Sequence, residues 1–451
     1  MRVSNDSNHA IQIDKEKCIG CSHCMRGCPT EAIRVWNGKA IIDDEKCVDC
    51  GDCFRVCPVK AIYVSLDSIP DFSNINRNVA LIPSVFYGQF PARYSKKDID
   101  SAIIELGFYR VVEVEESVDL LKKKIIDYVS RHPAENVISS YCPAVVRLIQ
   151  TRFPELIAHL IPMKTPLEIT ALKLRRELRY VENLQLYYIT PCASKTSSIS
   201  HSNITSEVLI NAVIGIDAFY NLVLHLLNVH HGIASALDVE KGISKTAVLW
   251  GLSGGEIASL QGRCLSIDGM NHIMEFLEKL DIDENHQFDF LEMKACDQGC
   301  AGGILNSENR FFCVGSMKNR AHASLTKDDN NTTNHILNAE DTQINEIQNC
   351  SVLALDKDQV KALKIMNKTR RLMCYLPGFD CGACGAPTCK SLAEDVAKGN
   401  AILSHCVFMQ RQMEKHHRLS PQHAFNIIES IWGKDRLDKD CNKKGAINDY
   451  S

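Results

Sequence analysis

The chain has 451 residues, 45% of them hydrophobic and 24% charged, with a formal net charge of −4. A single core stops growing below this length, so roughly two to four domains of ordinary globular composition are expected. The slight acidity excludes general nucleic-acid binding, which needs a basic surface to displace counterions.

The polar start MRVSNDSNHA lacks the basic-then-apolar pattern of a signal peptide. No run approaches the roughly eighteen apolar residues of a spanning helix. The best candidate, AFYNLVLHLLNVHHGIASAL, is interrupted by His225, Asn228, His230 and His231. No membrane span and a cytoplasmic location are therefore expected. Thiols stay reduced there, so 21 cysteines at ordered spacings point to metal rather than disulfides.

Residues 1–62 carry CIGCSHCMRGCP and CVDCGDCFRVCP. Both fit C-x2-C-x2-C-x3-C-P, the bacterial ferredoxin run, in which the fourth cysteine of each half serves the other half's cluster. Cys18, Cys21, Cys24 and Cys57 then hold one 4Fe-4S cluster, and Cys47, Cys50, Cys53 and Cys28 a second. EAIRV and KAIYV close the two halves and mark an internal repeat. Zinc is the alternative, but it takes four ligands in two CxxC-like pairs.

Residues 63–77, YVSLDSIPDFSNINR, read as a linker, rich in turn residues and without periodicity. Over 78–355, strand-like runs (NVALIPSV, YRVVEVEE, AENVISSY, LQLYYIT, KTAVLWGL) alternate with amphipathic helical ones (DIDSAIIELGF, GIDAFYNLVLHLLNV). That alternation predicts an α/β domain. Three loops after strand-like runs carry cysteines: SSYCP with Cys142, ITPCASK with Cys192 and Lys195, and EMKACDQGCAGG with Cys296 and Cys300. The polar stretch 324–350 reads as an exposed connection.

Residues 356–410 contain LPGFDCGACGAPTCKSLAEDVAKGNAILSHC. Cys381, Cys384 and Cys389 sit in a glycine-rich loop, and Cys406 returns after a helical stretch as a fourth ligand. This resembles the small 4Fe-4S domain of Rnf-type electron-transfer subunits and corrinoid proteins, with a zinc knuckle as the alternative. Residues 411–451 supply one helix, PQHAFNIIESIWG, and a charged tail.

The three cysteine loops, in this order behind a ferredoxin domain, resemble the FeFe hydrogenases, whose signatures are T-S-C-C-P, M-P-C-x-x-K and M-A-C-x-x-G-C. ELGFYRVVEV, RFPELIAHLIPMKTP and LWGLSGGE add to the likeness. The resemblance implies a two-lobed α/β domain enclosing an H-cluster, which is a 4Fe-4S cubane joined through one cysteine to a two-iron unit with CO, cyanide and a bridging dithiolate. By position, Cys142, Cys192, Cys296 and Cys300 become the cubane ligands and Cys300 the bridge. Lys195 becomes the donor to a cyanide, a charge-assisted hydrogen bond that suits an ammonium. A surface lysine is the alternative.

Three departures stand out. The family's proton-passing cysteine is replaced by Tyr141. A tyrosine hydroxyl in water titrates near about 10, against about 8.5 for a cysteine thiol. The hydroxyl can relay protons, or the residue can serve packing and hydrogen bonding. Thr190 and Lys294 stand where the family has methionines, putting a hydroxyl and a cation near the cofactor, where polar groups shift redox potential. The pattern resembles the family's divergent branch grouped as sensory.

The expected activity is slow interconversion of H2 with protons and electrons through three accessory 4Fe-4S clusters and an H-cluster. A ferredoxin or similar redox protein is the expected partner, with maturation proteins to install the cofactor. The alternatives are an H2 or redox sensor acting through a signalling partner, and an iron–sulfur electron carrier without the two-iron unit. Cys264, Cys313, Cys350, Cys374 and Cys441 lack partners at ligand spacing and read as core or incidental. His230–His231 reads as packing or surface.

Overall fold

The computed structural model describes residues 9–69, 77–205, 208–229, 242–280, 287–323, 339–344, 347–350 and 359–437. His230, His231, Cys441 and most of the charged tail lie outside them. The chain forms two compact units, one from 11–47, 52–63 and 352–451, the other from 1–10, 48–51 and 64–351.

The first unit joins the two ends of the sequence. Its N-terminal part pairs strands β1 (Ile11–Ile13) and β4 (Ile62–Val64), and pairs β2 (Ile33–Trp36) with β3 (Lys39–Ile42) as an antiparallel hairpin. Asn37 and Gly38 turn that hairpin with φ of 50° and 67°, the conformation an Asn-Gly pair adopts most readily. The C-terminal part packs helices Cys389–Lys398 and Val407–Lys415 around a core that includes Leu376, Leu392 and Met409. It docks on the hairpin. Arg34 pairs with Asp395 at 2.6 Å, Ser391 donates to Glu31 at 2.6 Å, and the Val35 N–H donates to the Gly385 carbonyl at 2.8 Å.

The second unit has two parallel sheets, each the centre of a lobe. The larger runs β6 (Arg110–Glu113), β5 (Asn78–Ile82), β8 (Gln185–Thr190), β9 (Ala212–Gly215). All five residues of β5 are buried, as a sheet covered on both faces requires. Ala80 and Ile82 face the helices Lys96–Glu105, Ile216–Val229 and Arg310–Ala323; Val79 and Leu81 face Pro166–Glu177. The smaller sheet runs β10 (Cys264–Asp268), β11 (Phe290–Lys294), β7 (Val137–Ile138), packed against Pro143–Arg152 and Met270–Leu280. No helix among the described residues is long and apolar enough to cross a membrane.

The two-lobed α/β expectation holds, with local differences. KTAVLWGL is not a strand: Lys245–Leu249 is helical, begun by Ser244 accepting from the Ala247 N–H at 3.2 Å. Its apolar run is too short for periodicity to separate a buried helix from a strand. In AENVISSY only Val137 and Ile138 join a ladder. The described part of 324–350 is not simply exposed: Thr342 is buried, and its carbonyl accepts from the Lys164 N–H at 2.9 Å. Asp341 pairs with Arg176.

Candidate metallocofactor sites

In the second unit, four cysteines separated by up to 158 positions line one cavity with about 420 Å³ of non-atom space: Cys142, Cys192, Cys296 and Cys300. Parallel topology brings them together. Cys142 follows β7, Cys192 follows β8 and Cys296 follows β11, so each projects from the carboxyl end of a strand, where α/β sheets open crevices. Cys142 also starts the helix Pro143–Arg152, with proline at its first position, where no N–H is needed.

The last loop is held by glycines. Gly299 has φ of 64°, and a Cβ there would lie 2.4 Å from the Gly251 carbonyl oxygen. A Cβ on Gly303 would lie 2.3 Å from the Pro191 oxygen, so the Cys300 loop closes against the Cys192 loop only without side chains. The Cys300 N–H donates to the Gly251 carbonyl at 2.8 Å.

Lys195 and Tyr141 complete the cavity wall. Lys195 Nζ lies 3.4 Å from Tyr141 Oη and 4.0 Å from Cys300 Sγ, and Tyr141 Oη lies 3.6 Å from Cys300 Sγ. Lys195 is buried, and among the described residues no carboxylate pairs with it. Burial works against its charge, but Cys300 and Tyr141 outweigh it and hold its pKa above the usual lysine range. Burial pushes the Tyr141 hydroxyl well up, helped by Cys300 and opposed by Lys195. Burial also raises Cys142 to about 11 and raises Cys192. Tyr188 Oη is buried close by with no hydrogen-bond partner among the described residues.

Thr190 is fully buried and braces the Cys192 loop, its hydroxyl donating to the Cys192 carbonyl at 3.0 Å. Lys294 also reaches Tyr141. Two ammonium groups lie over the ring, Lys195 at 4.7 Å and Lys294 at 5.3 Å from its centroid. Lys294 Nζ donates to Glu292 at 2.5 Å and to the carbonyls of Leu252 and Trp250 at 2.8 and 2.9 Å. Glu256 Oε1 lies 3.3 Å away, an ion pair rather than an aligned hydrogen bond. The other Glu256 oxygen accepts from Ser139 at 2.6 Å, and Ser139 Oγ in turn accepts from the Tyr141 N–H at 3.1 Å. Burial pushes Glu256 up to about 7 against the pull of Lys294.

Sequence reasoning missed this support, although LWGLSGGE contains Glu256. It also missed a second buried network. Ser84 donates from its N–H to Glu115 at 2.8 Å and from its hydroxyl to Glu113 at 2.5 Å, and Arg320 pairs with Glu113 at 2.6 Å. Burial, then Glu113, raises Glu115 to about 7, with Lys195 opposing.

The accessory cysteines surround smaller cavities in the first unit. Cys18, Cys21, Cys24 and Cys57 line one of about 320 Å³; Cys381, Cys384, Cys389 and Cys406 line another of about 290 Å³. The internal repeat survives in three dimensions. Glu31 and Lys60 take matching φ of 52° and 50°, the Ala32 N–H reaches Cys28 Sγ at 3.3 Å, and the Ala61 N–H reaches Cys57 Sγ at 3.2 Å. N–H donors to sulfur are what a cluster's thiolates use. Burial raises Cys53, and the charge of Cys28 adds to the rise. Cys50, grouped by spacing with Cys28, Cys47 and Cys53, belongs to the second unit and lines the large cavity beside Cys142. Cys389 and Cys406 stand at helix starts, where the dipole favours a thiolate.

Among the described residues no three His, Cys, Asp or Glu side chains are placed to hold a single metal ion; the cysteines surround open space instead. The donor set of the large cavity fits an H-cluster on two counts. It offers four sulfurs, and it adds a buried ammonium without a carboxylate, which an anionic ligand would neutralise.

Comparison with known families agrees. Residues 78–261 match the iron-only hydrogenase large subunit, C-terminal domain; residues 8–61 match a 4Fe-4S dicluster domain, and residues 376–408 an Fe-S cluster family. Cys296 and Cys300 lie beyond the first match. Ferredoxin-2 of Desulfomicrobium norvegicum is 42% identical over 33 residues, 7% of this chain; the match spans 56% of the ferredoxin's own length. Among solved structures, a variant of FeFe-hydrogenase HydA1 from Chlamydomonas reinhardtii is similar at 14% identity with a TM-score of 0.48, covering 63% of this chain and 97% of that one. An apo variant of the same enzyme aligns at 14% identity and TM-score 0.49, covering 64% and 98%. The chain is thus similar to the iron-only hydrogenase large subunit over 78–261 and to a 4Fe-4S dicluster domain over the preceding 8–61.

Proposed function

We propose that this protein is a slow FeFe hydrogenase of the divergent branch grouped as sensory, acting in the cytoplasm and interconverting H2 with protons and electrons. Lys195 carries the reading: a buried ammonium at the edge of a four-cysteine cavity, with no carboxylate within ion-pair distance among the described residues. A buried ammonium needs an anion beside it, and at 4.0 Å from Cys300 Sγ, the assigned bridge, Lys195 is placed to donate to a cyanide of the two-iron unit. When bound, the H-cluster supplies the metal chemistry that makes and breaks the H–H bond.

The chain's residues then have separate tasks. Cys142, Cys192, Cys296 and Cys300 would hold the cubane, with Cys300 the thiolate that would also serve the two-iron unit. Lys195 anchors the two-iron unit by a charge-assisted hydrogen bond. Tyr141 Oη, 3.6 Å from Cys300 Sγ, holds and passes the proton. A phenol releases its proton less readily than the thiol it replaces, which makes turnover slow. Thr190 fixes the Cys192 loop, and Lys294 fixes the Tyr141 ring. Cys18/Cys21/Cys24/Cys57, Cys28/Cys47/Cys50/Cys53 and Cys381/Cys384/Cys389/Cys406 would hold three accessory 4Fe-4S clusters, whose chemistry would be one-electron exchange with a ferredoxin-like carrier. Maturation proteins install the two-iron unit.

Tyr141 in place of the family's proton-passing cysteine favours a second reading, an H2 sensor whose slow turnover lets cluster state report to a signalling partner. The cofactor-loaded protein under H2 should reduce methyl viologen slowly and exchange H2 with D2O. No reduction and no exchange from fully loaded protein would contradict the hydrogenase reading.

A further inference from the structure

The first unit carries an exposed face built around Cys381. We propose that this face is the docking site for a small acidic one-electron carrier of the ferredoxin class, with the Cys381/Cys384/Cys389/Cys406 cluster as the port through which electrons pass. The proposal rests on the reading that these four cysteines hold a 4Fe-4S cluster.

Three observations carry it. Cys381 is exposed, unlike Cys389 and Cys406, so the cluster's edge reaches the surface. Two aromatic residues flank that edge: Phe379, two residues before Cys381, and Phe408, two after Cys406, with ring centroids 5.2 Å apart. They are 66% and 43% exposed, and Tyr375, at 65%, stands beside them in the chain. Large aromatics left in water at a redox port suit the apolar centre of a transient interface.

The third observation is charge. Residues 359–418 contain ten Lys and Arg against four Asp and Glu, in a chain whose net charge is −4. Internal contacts occupy all four carboxylates. Asp380 accepts from the Cys389 N–H, Asp395 pairs with Arg34, Glu394 with Lys46 and Glu414 with Arg411. Arg370 and Arg371, in the last turn of the helix Gln359–Met373 and just before Tyr375, are exposed without an ion pair among the described residues, as are Lys361 and Lys364 toward the other end of that helix. Arg26 adds a further exposed cation at the port, donating to the Cys381 carbonyl at 2.7 Å. Unpaired positive charge around an apolar centre steers an acidic partner and sets its orientation.

The port also leads inward. A Cβ on Gly382 would lie 3.0 Å from Met25 Cε, and Met25 follows Cys24, a residue of the first ferredoxin cavity. One side chain therefore separates the two cysteine loops. The step is a single-electron transfer: the reduced carrier gives up one electron, the oxidised cluster takes it, and no bond or proton moves. Two such transfers match the two electrons of the H2 couple, and the reverse holds when H2 is oxidised.

The test uses the full chain with its 4Fe-4S clusters reconstituted, mixed anaerobically with reduced plant-type 2Fe-2S ferredoxin. Bleaching of the chain's clusters is followed by stopped flow. The ferredoxin rate should fall with rising salt, and Lys364→Glu combined with Arg370→Glu and Arg371→Glu should lower it at least about tenfold at low salt. Reduction by the viologen radical, which needs no docking, should keep its wild-type rate. The proposal is overturned if the triple variant matches wild type, or if viologen reduction falls equally. It is also overturned if reversing Lys97 and Lys123 in the other unit slows ferredoxin as much, or if the face proves to join two copies of the chain with carrier rates unchanged. The readout is the clusters' own absorbance, so it stands whether or not the loaded protein turns over H2.

Discussion

Tyr141 and Cys300, 159 positions apart in sequence, meet with hydroxyl and thiol 3.6 Å apart. The contact places a titratable oxygen against the sulfur assigned to bridge the cofactor's two parts. Lys195 and Lys294 both lie over the tyrosine ring, so its position does not depend on the cofactor alone.

Replacing Tyr141 by cysteine should raise turnover several-fold, since a thiol releases its proton about 1.5 pK units more readily than a phenol. Tyr141→Phe removes the relay atom but keeps the ring, and should lower turnover more than tenfold with the cluster infrared bands in place. Viologen-coupled H2 oxidation on equally loaded proteins measures both. Unchanged rates in both variants would mean that proton delivery does not run through this hydroxyl.

Lys195→Ala should leave the cubane intact and release the two-iron unit. By ligand counting, iron should fall from about eighteen atoms per chain to about sixteen, and CO and cyanide bands should vanish while the cubane's electron paramagnetic resonance persists. Retained bands would show that another group neutralises the anionic ligands.

The Lys294 cluster is a stability device. Lys294→Met strands Glu292 and Glu256 in a buried site, which should destabilise the second unit by about 3–5 kcal/mol. Adding Glu292→Gln should restore part of the loss. Urea unfolding of the two variants decides between an ion-pair network and a neutral one.

Glu115 supplies a pH signature with a definite sign. Its pKa is raised from 4.5 to about 7, so its contribution is complete below pH 4.5 and is lost as pH rises through about 7, when the buried carboxyl must ionise. Glu115→Gln cannot ionise. It should therefore be more stable than wild type at pH 8, and its unfolding midpoint should vary less between pH 4.5 and 7. A wild-type protein whose stability rises across that window would contradict this assignment.

Gly303→Ala puts a Cβ 2.3 Å from the Pro191 oxygen, a backbone atom that can give way only by moving the Cys192 loop. Reconstituted protein should then lose four irons from this site while keeping the twelve of the three accessory clusters, on the order of a quarter of the total by ligand counting.

Much of this was legible in the sequence, and the unread parts share a cause. Local patterns gave the ferredoxin repeat and the three cysteine loops, because turn chemistry and ligand spacing are written within a dozen residues. The Glu256–Lys294–Glu292 cluster was not legible. Strand β11, FLEMK, is buried at every position, so an alternation reading would turn Glu292 and Lys294 toward solvent. The two pair with each other, and a loop from 36 residues earlier completes the cluster with the Glu256 N–H and carboxylate. The merging of the two chain ends into one unit left no mark either, since Arg34 and Asp395 pair across 361 positions. KTAVLWGL misled because a short apolar run fits a buried strand and a buried helix equally, and only the Ser244 cap decides.

Whether the four-cysteine cavity with Lys195 holds a working H-cluster is tested most directly by infrared spectra of the full chain. The protein is matured with the two-iron cofactor and recorded before and after exposure to H2. Bands of bound CO and cyanide that shift under H2 are the expected result. Protein with its cubane reconstituted but no such bands would contradict it, leaving Cys142, Cys192, Cys296 and Cys300 as the ligands of an electron-carrying cluster alone.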